Sequence, residues 1–160
     1  MKNIVITFFV LMTISLVPSC HPEIRGQHQA ISVTNNSRDT IVTDWGDDTI
    51  SDYYSINWLL KCWDHNPNLI TPPQQTNDWA ISERYPSTFE QFFKYERDTL
   101  FVYIVKQQDL ELANKDLILS FNYIIYKCTL DNLANNDWKI IYPDMSEDYY
   151  YVEKTYNGPI

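Results

Sequence analysis

The sequence predicts an α+β fold, a small antiparallel sheet of about five strands with one or two short helices. Three observations predict it. The run Leu100-Phe101-Val102-Tyr103-Ile104-Val105 is continuously β-branched and aromatic, which is the pattern of a central strand buried on both faces. Ala30-Ile31-Ser32-Val33-Thr34 alternates apolar and polar residues, as a half-buried strand does. Ser87 stands three residues before Glu90, the spacing of a capping box, and Phe89, Phe92 and Phe93 then share one helical face.

Taken in order, the chain opens with a segment that is not part of this fold. Lys2 precedes an apolar run over residues 4–17, which stops at Pro18 and falls short of the roughly 20 residues a membrane-crossing helix needs. Val17-Pro18-Ser19-Cys20 resembles the lipobox of bacterial lipoproteins, with Pro18 departing from the usual small residue. The resemblance implies cleavage before Cys20 and acylation of its sulfur, with a further chain on the new N-terminus. Two or more acyl chains anchor a protein stably where one does not. Read from the residues alone, an ordinary secretory signal or an uncleaved anchor stays open. His21 follows the cysteine, so the aspartate-based inner-membrane retention signal is missing, and the resemblance implies an outer-membrane lipoprotein on either face. Removing residues 1–19 leaves about 140, enough for one core.

Residues 20–29 are polar, contain Pro22 and Gly26, and read as a lipidated tether without fixed structure. A single globular domain is expected over residues 30–143. Its first piece is a hairpin, residues 30–34 and 39–43 around the turn Asn35-Asn36-Ser37-Arg38. Residues 53–63 are aromatic and apolar without a clean period, so strand and short helix both remain. Residues 64–77 hold Pro67, Pro72 and Pro73 and read as a loop, and residues 79–82 as a short strand. A helix over residues 88–95, capped by Ser87, leads to the central strand over residues 100–105. Residues 108–123 read as two short helical turns, and residues 124–128 as a strand. Thr129 caps one turn, and residues 137–142 form a last strand closed by Pro143. Residues 144–160 read as an acidic, tyrosine-rich tail that is loosely held.

Three stretches together resemble a group of small lipoproteins of Bacteroidota-type envelopes. They are Ile31-Ser32-Val33-Thr34-Asn35-Asn36-Ser37, then Phe89-Glu90-Gln91-Phe92-Phe93 with Asp98-Thr99-Leu100-Phe101-Val102-Tyr103-Ile104, and Tyr126-Lys127-Cys128-Thr129-Leu130-Asp131-Asn132-Leu133 with Trp138-Lys139-Ile140-Ile141-Tyr142-Pro143. These are apolar patterns and none is catalytic, so the resemblance implies location and a β-rich fold but carries over no functional residue. Lys106-Gln107 stand where the pattern has an acidic residue, and Cys128 where it has a plain apolar one.

Several chemistries are excluded by composition. The three glycines, Gly26, Gly46 and Gly158, lie far apart, whereas a P-loop, a dinucleotide fingerprint or a nucleophile elbow needs closely spaced ones. A net charge of -9 argues against nucleic acid, which is held by Lys and Arg. Asp44, Asp47, Asp48 and Asp52 do not match an EF-hand and read as a solvated loop. His21, His28 and His65 show no paired spacing, so neither a metal nor a cofactor is expected. Cys62 and Cys128 either bridge, closing a loop of about 66 residues for roughly 4 kcal/mol, or act as two buried thiols.

Aromatic residues make up 15% of the chain and supply the candidate binding surface: Tyr149, Tyr150 and Tyr151 among charges, and Trp58, Trp63 and Trp79 in or near loops. Rigid apolar area with a polar edge suits protein partners and sugar rings. The expectation is therefore a non-enzymatic accessory lipoprotein, held to the membrane through Cys20, that binds another envelope protein. Glycan capture by the tryptophans is the alternative, and a hydrolase with dispersed carboxylates comes last.

Overall fold

In the computed structural model the residues described are 28–46, 52–82, 87–143 and 150–157. Residues 1–19, expected to be a signal segment, and Cys20, Asp47, Asp48 and Tyr149 lie outside them. The α+β class holds, with a five-stranded antiparallel sheet as expected, but a second, three-stranded sheet joins it and the described residues form four α-helices.

Strands β1 (Ala30–Asn35), β4 (Gln75–Ser82) and β7 (Lys139–Tyr142) make the smaller sheet in the order β4-β1-β7. The larger sheet is β3-β2-β5-β6-β8, built from β2 (Ile41–Gly46), β3 (Ile70–Thr71), β5 (Leu100–Lys106), β6 (Phe121–Cys128) and β8 (Tyr150–Tyr156). Alternation along β5 assigns its two faces. Leu100, Val102 and Ile104 enter one apolar core with Ile31, Val33, Ile81 and Ile140 of the smaller sheet, while Tyr103 and Val105 enter a second core. That second core is closed by α1 (Asp52–Cys62) and α3 (Gln107–Asn114), through Ile56, Leu59, Leu60, Leu110 and Ala113. The central-strand reading of residues 100–105 follows from this position: β5 lies between β2 and β6 and is covered on both faces.

The expected hairpin is replaced by a crossover. β1 pairs antiparallel with β4 and parallel with β7, while β2 pairs with β3 and β5, so the link between β1 and β2 carries the chain from one sheet to the other. Asn35 fixes this corner. It is fully buried; its amide donates to the Asp39 carbonyl at 2.8 Å and the Thr71 carbonyl at 3.0 Å, and its Oδ1 accepts from the Ser37 N–H and hydroxyl. Asn35→Ala strands several of these groups, and a loss of about 2–4 kcal/mol in urea unfolding is the expected outcome. A shift below about 0.5 kcal/mol would show the corner to be held by other contacts.

Other departures have local causes. Residues 53–63 are helical for most of their length, followed by 3-10 turns Trp63–His65 and Pro67–Leu69. The expected loop over residues 64–77 therefore contains turns, β3 and the start of β4. The helix α2 (Phe89–Tyr95) is capped by Thr88 with Gln91, one residue later than Ser87 with Glu90. Both pairs satisfy the spacing, but Glu90 is used elsewhere, as described below. One helix, α3, occupies much of the stretch expected to hold two turns, and Thr129 caps α4 (Leu130–Asn135) as expected. Residues 150–156, expected in a loose tail, form β8 in seven-residue antiparallel register with β6.

His28 was placed in the tether by sequence, yet it is fastened. Its N–H donates to both Glu90 carboxylate oxygens, its Nδ1 lies 2.6 Å from Glu90 Oε1, and its carbonyl accepts from the Phe89 N–H at 2.9 Å. The imidazole stacks on Trp138 at 4.1 Å. Trp138 itself adopts a left-handed backbone, φ 56°, unusual for a bulky residue, and its N–H is tied to the Leu133 carbonyl at 2.8 Å.

Asp44 faces the helix side of β2, opposite Tyr103. Burial pushes its carboxyl up to about 6, partly offset by a hydrogen bond from the Trp45 backbone. The folded state therefore holds this proton more tightly than the unfolded chain does, and stability falls as pH rises from about 4 to about 6. Asp44→Asn is expected to flatten that slope and to stabilise the fold at pH 7 by on the order of 1–3 kcal/mol, read from urea midpoints at pH 4, 6 and 8. An unchanged slope in the variant would assign the pH dependence to other groups.

Candidate functional site

The site is assembled where β5 ends. Lys106 is its last residue and α3 starts at Gln107, whose N–H donates to the Thr40 carbonyl at 2.9 Å. This strand-to-helix junction borders a groove beside β6, which Tyr142 at the end of β7 also lines. The groove has a volume of about 450 Å³. Its apolar lining comes from Ile104, Ile124, Leu112 and Ile118, and its polar lining from Lys106, Asp109, Asn122, Tyr142 and Glu153. That volume lies within the range of about 300–1,000 Å³ usual for ligand sites.

Charge in the groove is unbalanced. Lys106 Nζ lies 2.9 Å from Asp39 Oδ2, and this hydrogen bond raises the lysine above its ordinary range. Burial raises the Asp109 carboxyl; Lys106 opposes the shift and Asp39 adds to it. Tyr142 is raised first by burial, with the Asp39, Glu153 and Asp109 charges contributing and Lys106 opposing. Asn122 connects the floor to β8: its amide donates to Glu153 Oε1 at 3.3 Å, and its Oδ1 accepts from the Thr155 hydroxyl at 2.9 Å. Ser120 also lines the groove, with no histidine beside it among the described residues.

β8 brings the groove and Tyr151 to one face of the sheet, with Tyr150 on the other. It is the outer strand of the larger sheet, and its register places Tyr151, Glu153 and Thr155 on the groove face, opposite Tyr126, Ile124 and Asn122. Of the three tyrosines expected at the surface, Tyr150 and Tyr151 are exposed, 64% and 48%, and Tyr149 lies outside the described residues. Tyr151 lies against Tyr126 at 5.8 Å, and Lys127 Nζ sits over the Tyr150 ring at 4.9 Å, so both rings are braced from β6.

The tryptophans do not form one platform. Trp63 is buried in the helix-side core, which removes it from the expected binding surface; Trp58 and Trp79 reach solvent, from α1 and β4 respectively. Cys62 and Cys128 are free. The larger sheet lies between them, Cys128 buried in the core shared by the two sheets and Cys62 ending α1 on the opposite layer. Burial also pushes the Cys128 thiol far up, so it stays protonated and inert. Among the described residues no group of three or more His, Cys, Asp or Glu could hold a metal ion, and no helix is long and apolar enough to cross a membrane.

The groove was not legible in advance, since its lining is drawn from β5, α3, β6, β7 and β8, between Ile104 and Glu153. The single hint was Lys106-Gln107, an interruption right after the central strand. No protein-family model, curated protein or solved structure matches the chain.

Proposed function

We propose that this chain is a non-enzymatic accessory lipoprotein of the bacterial cell envelope, anchored through lipid on Cys20, that binds another envelope protein along β8. One observation carries the reading: a seven-residue outer strand that displays two braced, exposed tyrosines, Tyr151 on the face that carries the groove and Tyr150 on the opposite face. An outer strand offers backbone hydrogen bonds to an extended segment, and rigid aromatic rings add contact area at low entropic cost. Glycan capture has less support, because Trp63 is buried and the two exposed tryptophans stand on different elements.

In-cell crosslinking of the tagged chain with mass spectrometry tests this. The wild type is expected to carry one dominant protein, and Tyr150→Ser with Tyr151→Ser to reduce its yield roughly tenfold or more, since aromatic anchors dominate such interfaces. Both rings are exposed, so the variant is expected to melt within a few degrees of the wild type. Capture of the same protein at unchanged yield by the variant would refute a role for β8.

A further inference from the structure

The groove beside β8 has a definite charge preference. Among the described residues that line it, Lys106 is the single cation, and it is already engaged by Asp39. Asp109 and Glu153 add two carboxylates on the groove itself. An anion would meet three carboxylates and a lysine that is already paired, whereas a cation would find carboxylates whose charge the groove's own lysine does not balance. A purely apolar occupant would cover Asp109 and Glu153 without pairing them, which is costly. The walls set the second requirement. Ile104, Ile124, Leu112 and Ile118 line the groove together with these charged groups, so the occupant has an aliphatic length and a polar end. A long basic side chain combines the two, burying its methylene stem while its head stays with charge and water.

We propose that the groove receives an arginine or lysine side chain of the partner protein, with its stem against Ile104, Ile124 and Leu112 and its cationic head toward Asp109 and Glu153. The inference rests on the protein-binding reading above and adds the chemistry of the partner: an extended segment that lies along β8 and points one basic residue across it. Glu153 couples the two parts, because it belongs to β8 and lines the groove. Burial disfavours the charged form of Asp109 in the free protein, so a cation placed there relieves a cost already present. The chain's net charge of -9 draws basic segments toward it before contact.

The test uses full-length protein purified in detergent and the fluorescent heptapeptide Thr-Val-Thr-Arg-Thr-Val-Thr, compared with its citrulline twin, which keeps the shape and removes the charge. Fluorescence anisotropy is expected to give at least roughly tenfold tighter binding of the arginine peptide, with a lysine version close to it. In the Asp109→Asn, Glu153→Gln variant that ratio is expected to fall to near one. Equal binding of the arginine and citrulline peptides by the wild type overturns the inference, whether or not the double variant folds. So does a ratio that survives the double substitution, or free agmatine binding as tightly as the peptide, which would make the groove a small-amine site. Crosslinking with the same double variant separates this from the broader reading. Undiminished partner capture, with loss in the Tyr150 and Tyr151 variant, discards the groove's role and keeps the protein-binding reading. Arginine discrimination with no protein captured by the wild type discards the protein-binding reading and keeps the groove's chemistry.

Discussion

A chain ending at Pro143 is expected to lose cooperative unfolding at 25 °C, because β8 closes the larger sheet. Tyr156 is the key contact. It is buried, stacks on Phe121 with centroids 5.1 Å apart, and its hydroxyl donates to Asn57 Oδ1 at 2.8 Å, which ties the sheet to α1. Removing β8 exposes the outer edge of β6 and uncovers Phe121, Tyr123 and Ile125 of the helix-side core. Each such side chain contributes about 1.5–3 kcal/mol by burial, and a domain of this size has only about 5–15 kcal/mol in total. Loss of a seven-residue ladder and several of these burials takes most of that margin. Circular dichroism melts and dye binding would read it: a broad, non-cooperative melt with dye bound below the wild-type midpoint is expected. A truncated chain that melts sharply within a few degrees of the full one would show β8 to be dispensable. Two point variants grade the effect, Tyr156→Ala at about 3–4 kcal/mol and Tyr156→Phe at about 1 kcal/mol.

Phe89→Ala is expected to cost about 3–5 kcal/mol, the largest effect of a single core substitution on the other face. Phe89 is fully buried where α2 meets the sandwich, with Trp45 at 5.7 Å and edge-on, and Trp138 at 6.4 Å. The cavity left by its ring borders two tryptophans, Trp45 held in the β2–β5 ladder and Trp138 stacked on His28, so collapse is restricted. Its N–H also holds the His28 carbonyl, so loosening the start of α2 loosens the first described residue of the chain. Phe93, only partly buried on the same helix, serves as the control: Phe93→Ala is expected to cost roughly 1 kcal/mol, and urea unfolding of the two variants side by side would check the order. Equal losses would mean that α2 is held by its cap rather than by its buried ring.

The parts of this fold that sequence made legible are those where local pattern and environment agree. β5 is apolar at successive positions because it is covered on both faces, and no partner needs to be known to see that. Thr129 and Asn132 form a capping box whose signal lies within four residues. Legibility fails where a distant group decides. Ser87 and Glu90 made as good a cap as Thr88 and Gln91, until His28, 62 residues earlier, took the Glu90 carboxylate. The link between β1 and β2 has turn chemistry suited to a hairpin, but Asn35 spends its amide on Thr71, 36 residues away, and the strands part. β8 looked like a tail because only Tyr156 of its residues is buried, so its alternation has almost no apolar contrast. The groove, drawn from both sheets and α3, had no local pattern at all.

The place of β1 in its sheet bears on how the molecule carries load. β1 is the middle strand of β4-β1-β7, and His28 is clamped two residues ahead of it. A pull on the N-terminal end, directed along β1, first meets the His28–Glu90 clamp and then shears two hydrogen-bonded ladders in parallel rather than peeling one open a bond at a time. All those bonds share the force together. Pulled from His28 against an anchor on β4 or β7, the molecule is expected to yield at the clamp and the three-stranded sheet before the sheet that carries the groove, an order that single-molecule force spectroscopy would read.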